Sequence, residues 1–96
     1  MADAFEIVSQ EEQPGCWLFV VRRESDEGIR DHRLRRAWPD YDLLSPGGDA
    51  PPERVALAVV RFLSARPEFA PLAERLDASW ARRRVPDADR LIAASL

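Results

Sequence analysis

A chain of 96 residues is long enough for one hydrophobic core, so we expect residues 1–96 to form a single domain. Hydrophobic residues make up 46% of the chain and charged residues 32%, which is typical of globular proteins and excludes a disordered or fibrous protein. The net charge of -3 argues against a general affinity for nucleic acid or anionic lipid.

The chain shows no pattern typical of export or of membrane insertion. No basic segment followed by an apolar stretch stands at its start, and its longest apolar run, CWLFVV, is far too short to span a bilayer. Its single cysteine, Cys16, can form neither an internal disulfide nor a thiolate metal cluster. We therefore expect a cytoplasmic protein that does not enter the membrane.

The first half of the chain, residues 1–44, predicts a three-stranded antiparallel β-meander. Three runs rich in β-branched and aromatic residues are typical of strands. The predicted strands are 4–9, 16–23 and 29–38. The segments between them are polar and end in Gly15 and Gly28, which can take positive φ in a turn.

The second half, residues 51–96, predicts three or four helices packed on one face of that sheet. Pro52 suits the first position of a helix, because its missing N–H would have no partner there. The residues that follow at the spacing of one helical stripe are Val55, Val59, Phe62 and Leu63. We expect shorter helices over 71–76, after a cap at Asp77, and from Pro86 onward. The predicted fold class is therefore α+β.

The hairpin between the second and third strands has two plausible registers. A three-residue loop pairs charged side chains across the strands, whereas a four-residue loop aligns Phe19 with Leu34 and Val21 with His32 on one face. Burying Phe19 or Leu34 is worth about 1.5 to 3 kcal/mol each, and an exposed charge pair is worth about 1 kcal/mol or less. The sequence therefore predicts the four-residue loop. The opposite face then carries Leu18, Val20, Arg33 and Arg35.

The stretch RDHRLRRAW, at residues 30–38, contains four arginines and the only histidine of the chain. We interpret it as the solvated face of the sheet, where the stems of Arg33 and Arg35 cover Leu18 and Val20. Acids in the same hairpin support this reading: they are Glu24, Asp26, Glu27 and Asp31. The alternative is a surface that binds a ligand such as a phosphate backbone.

A second basic cluster, Arg82, Arg83 and Arg84, lies close to Trp80. Cations at the end of a short helix interact favourably with the negative end of its dipole, which is the interpretation we favour. Arginines beside an aromatic ring are also what single-stranded nucleic acid stacks on.

The residues that could carry catalysis or hold a metal do not form a convincing pattern. His32 would need a nucleophile nearby, but Cys16 belongs to the opposite face of its strand and no serine stands in a strand-turn-helix elbow. The acid pairs Asp40 with Asp42 and Asp87 with Asp89 do not fit a calcium loop, and SPGGD lacks the lysine of a phosphate loop. We predict a structural His32, no catalytic residue, no cofactor and no metal.

All 14 basic residues are arginine, a skew typical of GC-rich bacterial genomes. From PPERV onward, and above all in FLSAR and LDASWARRRVPDADRLI, the chain resembles small bacterial proteins of unknown function. Their second half runs approximately S-P-E-E-L-V, then F-L-L-E-R, then F-D-L-x-x-I-x-R-Y-F-P-E-Y-E-R-E-I. The matching positions are Pro52, Glu53, Phe62, Leu63, Arg66, Asp77, Arg83, Pro86, Arg90 and Ile92. Where that pattern has aromatic residues, this chain has Arg84, Val85 and Ala88. The resemblance implies a fold and a bacterial origin, and no activity.

These observations favour a non-enzymatic protein-interaction or regulatory module that binds an unknown protein partner or forms a weak homodimer. The candidate surface residues are Leu18, Val20, Arg33, Arg35, Arg82, Arg83 and Arg84. The alternative is a nucleic-acid-associated regulator, similar to antitoxins in its small sheet and helix, that would use both arginine clusters. Its acidic net charge makes nucleic-acid binding the less favoured hypothesis, and an enzyme is the least favoured.

Overall fold

The structure is a computed structural model that describes residues 3–45, 47–48 and 50–96, and its fold is α+β as predicted. Its elements in chain order are β1 (Ala4–Gln13), β2 (Cys16–Ser25), β3 (Gly28–Ala37), α1 (Trp38–Leu44), α2 (Pro52–Ser64), β4 (Arg75–Asp77), α3 (Trp80–Arg84) and α4 (Ala88–Ala94). A single 3-10 turn, Pro67–Phe69, follows α2. None of the helices in these ranges is long and apolar enough to cross a membrane.

Strands β1, β2 and β3 form the predicted antiparallel meander, and the predicted hairpin register is confirmed. The aligned pairs include Phe19 with Leu34, Val21 with His32, and Ser25 with Gly28. The turn is tight, since only Asp26 and Glu27 lie between the paired ends, and Gly28 takes a φ of 116°. Hydrophobic burial decides the register as argued above, because Phe19 and Leu34 are both almost completely buried.

Strand β1 is longer than the sequence predicts, since it continues through QEEQ to Gln13. A bulge at Val8 shifts the register, so that Ile7 pairs with Val21 but Ser9 pairs with Val20. The bulge also changes which side chains of β1 face the helices. Backbone hydrogen bonds to β2 hold this polar stretch as a strand, although its side chains give no strand pattern.

The sheet has a fourth strand, so the prediction of three strands and of a helix over 71–76 is wrong. Strand β4 pairs in parallel with β3 and places Leu76 beside Leu34. Main-chain bonds flank the pairing: the Arg33 N–H donates to the Glu74 carbonyl at 2.7 Å, and the Ala78 N–H donates to the Arg35 carbonyl at 2.9 Å. The burial of Leu76 against this sheet stabilises the strand more than a short helix would be stabilised, because such a helix would bury little apolar surface.

The third strand ends one residue earlier than predicted, and a helix begins where the sequence predicts none. Helix α1 starts at Trp38, with Pro39 in its first turn. The Asp40 carboxylate accepts a hydrogen bond from the Ala37 backbone N–H at 3.3 Å, which stabilises this helix start. The described residues thus contain four α-helices, a number within the prediction, but one of them precedes the predicted helical half.

All four helices contribute buried residues to one core on a single face of the sheet, as predicted. Helix α2 lies against β1, β2 and β3 and is the main layer. Its buried residues are Val55, Ala56, Val59, Val60 and Leu63. Phe62, which the sequence assigns to this stripe, is only half-buried and lies at its margin under the Arg66 guanidinium, 4.8 Å from the ring centroid.

The position of these two neighbours on α2 predicts a difference in stability. Leu63→Ala should lower the free energy of unfolding by about 2 to 5 kcal/mol, because it leaves a cavity in the core. Phe62→Ala should cost less, because much of that ring borders solvent. Denaturant titration of both variants measures the two losses, and a larger loss for Phe62→Ala would mean that α2 is rotated relative to this structure.

Candidate interaction surface

One face of the sheet is not covered by any helix of the described residues, and we call it the outer face. Two rows of cross-strand neighbours define it. One row contains Glu11, Leu18, Arg35 and Asp77, and the next contains Ser9, Val20, Arg33 and Arg75. These eight residues line a shallow cleft of about 550 Å³.

The structure places the four predicted hairpin residues together on this face. Leu18 is opposite Arg35 and Val20 is opposite Arg33. Both aliphatic side chains are half-buried, whereas both arginines are exposed. This is the arrangement expected when arginine stems lie along apolar side chains and the guanidinium groups remain in water.

Strand β4 adds two charged residues that the sequence analysis did not assign to this face. Arg75 lies beside Arg33, and Asp77 lies beside Arg35. Arg35 Nη1 pairs with Asp77 Oδ2 at 3.3 Å. Neither Arg33 nor Arg75 forms an ion pair within the described ranges. The outer face therefore presents two adjacent cations beside an apolar stripe.

The Asp77 carboxylate is fixed from two sides. Its Oδ1 accepts hydrogen bonds from the Ser79 backbone N–H at 2.9 Å and from the Ser79 hydroxyl at 2.7 Å, at the start of α3. Partial burial acts to raise the pKa of Asp77, but the hydrogen bonds from Ser79 and Arg35 outweigh it and lower that pKa below its ordinary value. Asp77 is therefore held as an anion that joins the outer face to α3.

The second predicted cluster is divided by the structure, because Arg82 points inward. Its Nη1 donates to Asp40 Oδ1 at 2.7 Å and its Nε donates to Asp89 Oδ2 at 3.0 Å. Burial acts to lower the pKa of Arg82, but these hydrogen bonds outweigh it and raise the pKa. Arg82 joins α1, α3 and α4 and is not part of an open basic surface.

Arg83 and Arg84 are exposed and line a different cleft, together with Trp80. Arg84 Nη1 donates to the Glu68 carbonyl at 3.2 Å, in the segment after α2. Neither Arg83 nor Arg84 lines the cleft on the outer face. The two arginine clusters therefore do not form one continuous surface.

His32 is buried, and its contacts fit the structural role predicted for it. Its Nδ1 carries the proton and donates to the Ala73 carbonyl at 2.6 Å, since a carbonyl only accepts. Its Nε2 is buried and has no hydrogen-bond partner among the described residues. Cys16 is the first residue of β2, whereas His32 is opposite Val21 in the middle of that strand, so the two side chains are not neighbours. The imidazole thus holds the segment that leads into β4.

Arg36 is a buried charged residue that the sequence analysis did not identify. It is 0% exposed, and its guanidinium lies 5.1 Å from the Phe19 ring centroid and 4.7 Å from that of Tyr41. Its Nη1 donates to the Pro52 carbonyl at 2.8 Å, while Nε and Nη2 have no partner among the described residues. Desolvation lowers the pKa of Arg36 to about 10. The sequence did carry a signal for this burial: the strand alternation that places His32 and Leu34 on the inner face also places Arg36 there.

Neither a metal site nor a similarity to known proteins adds evidence about the function. No group of three or more His, Cys, Asp or Glu side chains in the described part of the chain is arranged to hold a metal ion. No protein-family model matches the chain, and no curated protein or solved structure is significantly similar to it. The resemblance of the second half to small bacterial proteins therefore stays a prediction, and the functional argument rests on geometry.

The burial of Arg36 predicts that its shape matters more than its charge. Arg36→Met should change the free energy of unfolding by about 1 kcal/mol or less, because removal of the desolvation penalty offsets the lost hydrogen bond and ring contacts. Arg36→Ala should lose about 2 to 5 kcal/mol, because it leaves a cavity. Thermal and denaturant unfolding test both variants, and a loss for Arg36→Met as large as that for Arg36→Ala would show that the fold requires the charge.

The lowered pKa of Asp77 predicts a pH-dependent contribution to stability. A folded-state pKa below the unfolded value of about 3.9 means that ionised Asp77 stabilises the fold above that pH. The stabilisation disappears as the pH falls through the folded-state pKa. Asp77→Asn should therefore lose a few tenths to about 1 kcal/mol at pH 7 and progressively less towards pH 3.

Denaturant titrations at several pH values measure this difference. Asp87→Asn is the control, because Asp87 forms a highly exposed ion pair with Arg90 and should contribute little at any pH. An Asp77→Asn loss that stays constant from pH 7 to pH 3 would contradict the assigned role of the carboxylate.

Proposed function

We propose that the chain is a non-enzymatic protein-interaction module, and that its outer face binds a partner segment that combines apolar side chains with carboxylates. One observation carries the proposal. Leu18 and Val20 lie half-buried on a face that the helices leave uncovered, beside Arg33 and Arg75, which have no acidic partner in the described residues. An apolar stripe with polar surroundings is typical of partner surfaces.

The face is a better docking site than the sheet edge. The long edge strand, β1, is interrupted by the bulge at Val8 and carries Glu11 and Glu12 near its end. Bulges and charges on an edge strand oppose the addition of a further strand. The other edge strand, β4, has only three residues. We therefore assign the partner to the side chains of the outer face and not to its backbone edges.

Charge favours an acidic segment over a second copy of the chain. The cleft on the outer face is lined by three arginines and by the two acids Glu11 and Asp77. Asp77 is already engaged by Arg35 and Ser79. Two such faces brought together would oppose the same excess of positive charge, whereas carboxylates of a partner would pair with Arg33 and Arg75.

The nucleic-acid alternative has less support from the same geometry. Among the described residues, Phe19 is the only aromatic one that lines the outer cleft, and it is 1% exposed and belongs to the core. Base stacking therefore has no ring available there. Trp80 lines the other cleft, and Arg82 is neutralised by Asp40 and Asp89.

The proposal is tested by selecting ligands from a random-peptide display library on the immobilised full chain. Enriched peptides should combine apolar residues with Asp or Glu, and fluorescence anisotropy should then measure their affinity. We expect Arg33→Glu/Arg75→Glu to weaken binding by about tenfold or more, because it reverses the complementary charge. The matched control is Arg54→Glu/Arg61→Glu, which reverses two exposed arginines on α2 and should change affinity by about twofold or less.

Other outcomes would overturn the proposal. Enriched peptides without carboxylates, or affinity unchanged by Arg33→Glu/Arg75→Glu, would exclude an acidic partner at this face. Concentration-dependent dimerisation in sedimentation that Leu18→Ser abolishes would assign the face to a second copy. Sub-micromolar binding of duplex DNA or single-stranded RNA at physiological salt, lost in Arg33→Ala/Arg35→Ala, would favour the nucleic-acid-associated regulator.

A further inference from the structure

A second cleft lies between the segment that follows α2 and helix α3, away from the outer face. Its floor is formed by Leu63 and Leu76, which are 1% and 4% exposed. Phe69 and Leu72 form its sides, and Trp80, 36% exposed, stands at its mouth. Its volume is about 390 Å³, within the range of about 300 to 1,000 Å³ usual for small-molecule sites. We call it the Trp80 cleft.

Three hydrogen bonds from two elements, β3 and α3, hold the wall of this cleft. His32 Nδ1–H donates to the Ala73 carbonyl at 2.6 Å, and the Arg33 backbone N–H donates to the Glu74 carbonyl at 2.7 Å. Arg84 donates to the Glu68 carbonyl at 3.2 Å. The segment is thus tied at both ends, to β3 and to α3. A wall fixed in this way preserves the cleft without a ligand, which lowers the entropic cost of binding.

The charged residues that line the cleft are Arg83, Arg84 and Glu68, so cations outnumber acids there. Arg83 and Arg84 are exposed, and neither forms an ion pair with an acid of the described residues. Their neighbour Arg82 is paired with Asp40 and Asp89 and does not line the cleft. Each guanidinium has five N–H groups, so Arg84 retains donors beyond the one that it gives to Glu68.

We propose that the Trp80 cleft binds a small amphipathic carboxylate, an organic acid with an aliphatic or aromatic body. The carboxylate pairs with Arg83 and Arg84, as charge-assisted hydrogen bonds favour. The apolar body lies against Trp80 and extends between Phe69 and Leu72 towards the floor. This site uses different arginines from the outer face, and the buried Leu76 is the one described residue that borders both clefts.

Isothermal titration calorimetry of the full chain with octanoate tests the proposal, with 1-octanol as the probe that lacks the carboxylate. Octanoate should bind, and 1-octanol should bind more weakly by about tenfold or more. Arg83→Ala/Arg84→Ala should weaken octanoate by a similar factor. The control Arg54→Ala/Arg61→Ala, on exposed arginines of α2, should leave its affinity within about twofold.

Two further measurements locate the ligand. In a nitrogen-proton NMR spectrum, octanoate should shift the indole signal that disappears in Trp80→Phe, and leave those of Trp17 and Trp38 in place. Leu72→Trp should fill the cleft and abolish octanoate binding while both arginines remain, which tests the site even if Arg83→Ala/Arg84→Ala does not fold.

The proposal is overturned if octanoate fails to bind up to its solubility, if 1-octanol binds as tightly, or if the shifted indole is not that of Trp80. It is also overturned if oligouridylate binds in place of octanoate and depends on Trp80 and Arg83, because the cleft would then be a nucleic-acid site. None of these results bears on peptide binding by the outer face, which Arg33→Glu/Arg75→Glu tests separately.

Discussion

The buried guanidinium of Arg36 is the constraint around which the two halves of the fold are joined. It lies in the core between the rings of Phe19 and Tyr41 and donates to the carbonyl of Pro52, the first residue of α2. Its Nε and Nη2 have no hydrogen-bond partner among the described residues, so its neighbours are restricted by the Nη1 bond to Pro52 and by packing against the two rings. The side chain of one strand residue thereby fixes where α1 and α2 stand relative to the sheet.

The same constraint explains how RDHRLRRAW can be a strand with polar residues on both faces. On the inner face, His32 and Arg36 flank Leu34, and both donate to main-chain carbonyls of segments outside the sheet, at Ala73 and Pro52. On the outer face, Arg33 and Arg35 extend into solvent over Leu18 and Val20. The inner polar residues therefore position two segments outside the sheet. On the outer face, Arg35 pairs with Asp77, whereas Arg33 has no acidic partner among the described residues.

The sequence was sufficient for the meander, its register and the placement of the outer face, because these follow from local alternation and from the burial of a few large side chains. It could not reveal β4, since three residues show no alternation and the pairing depends on contact with Leu34. Helix α1 has a readable start in Pro39 and Asp40, but its seven residues are too few for a clear period. Arg75 therefore joined the candidate surface only through the tertiary fold.

The division of the arginine triplet follows from helix geometry. Successive residues of a helix point about 100° apart, so three adjacent arginines cannot all face one surface. Arg82 faces α1 and α4, where Asp40 and Asp89 neutralise it, and only Arg83 and Arg84 remain beside Trp80. A count of basic residues along the sequence thus overstates the basic surface. The two predicted arginine clusters form two separate small areas of positive charge, each next to an apolar one. Such areas suit the proposed short amphipathic anions better than an extended polyanion.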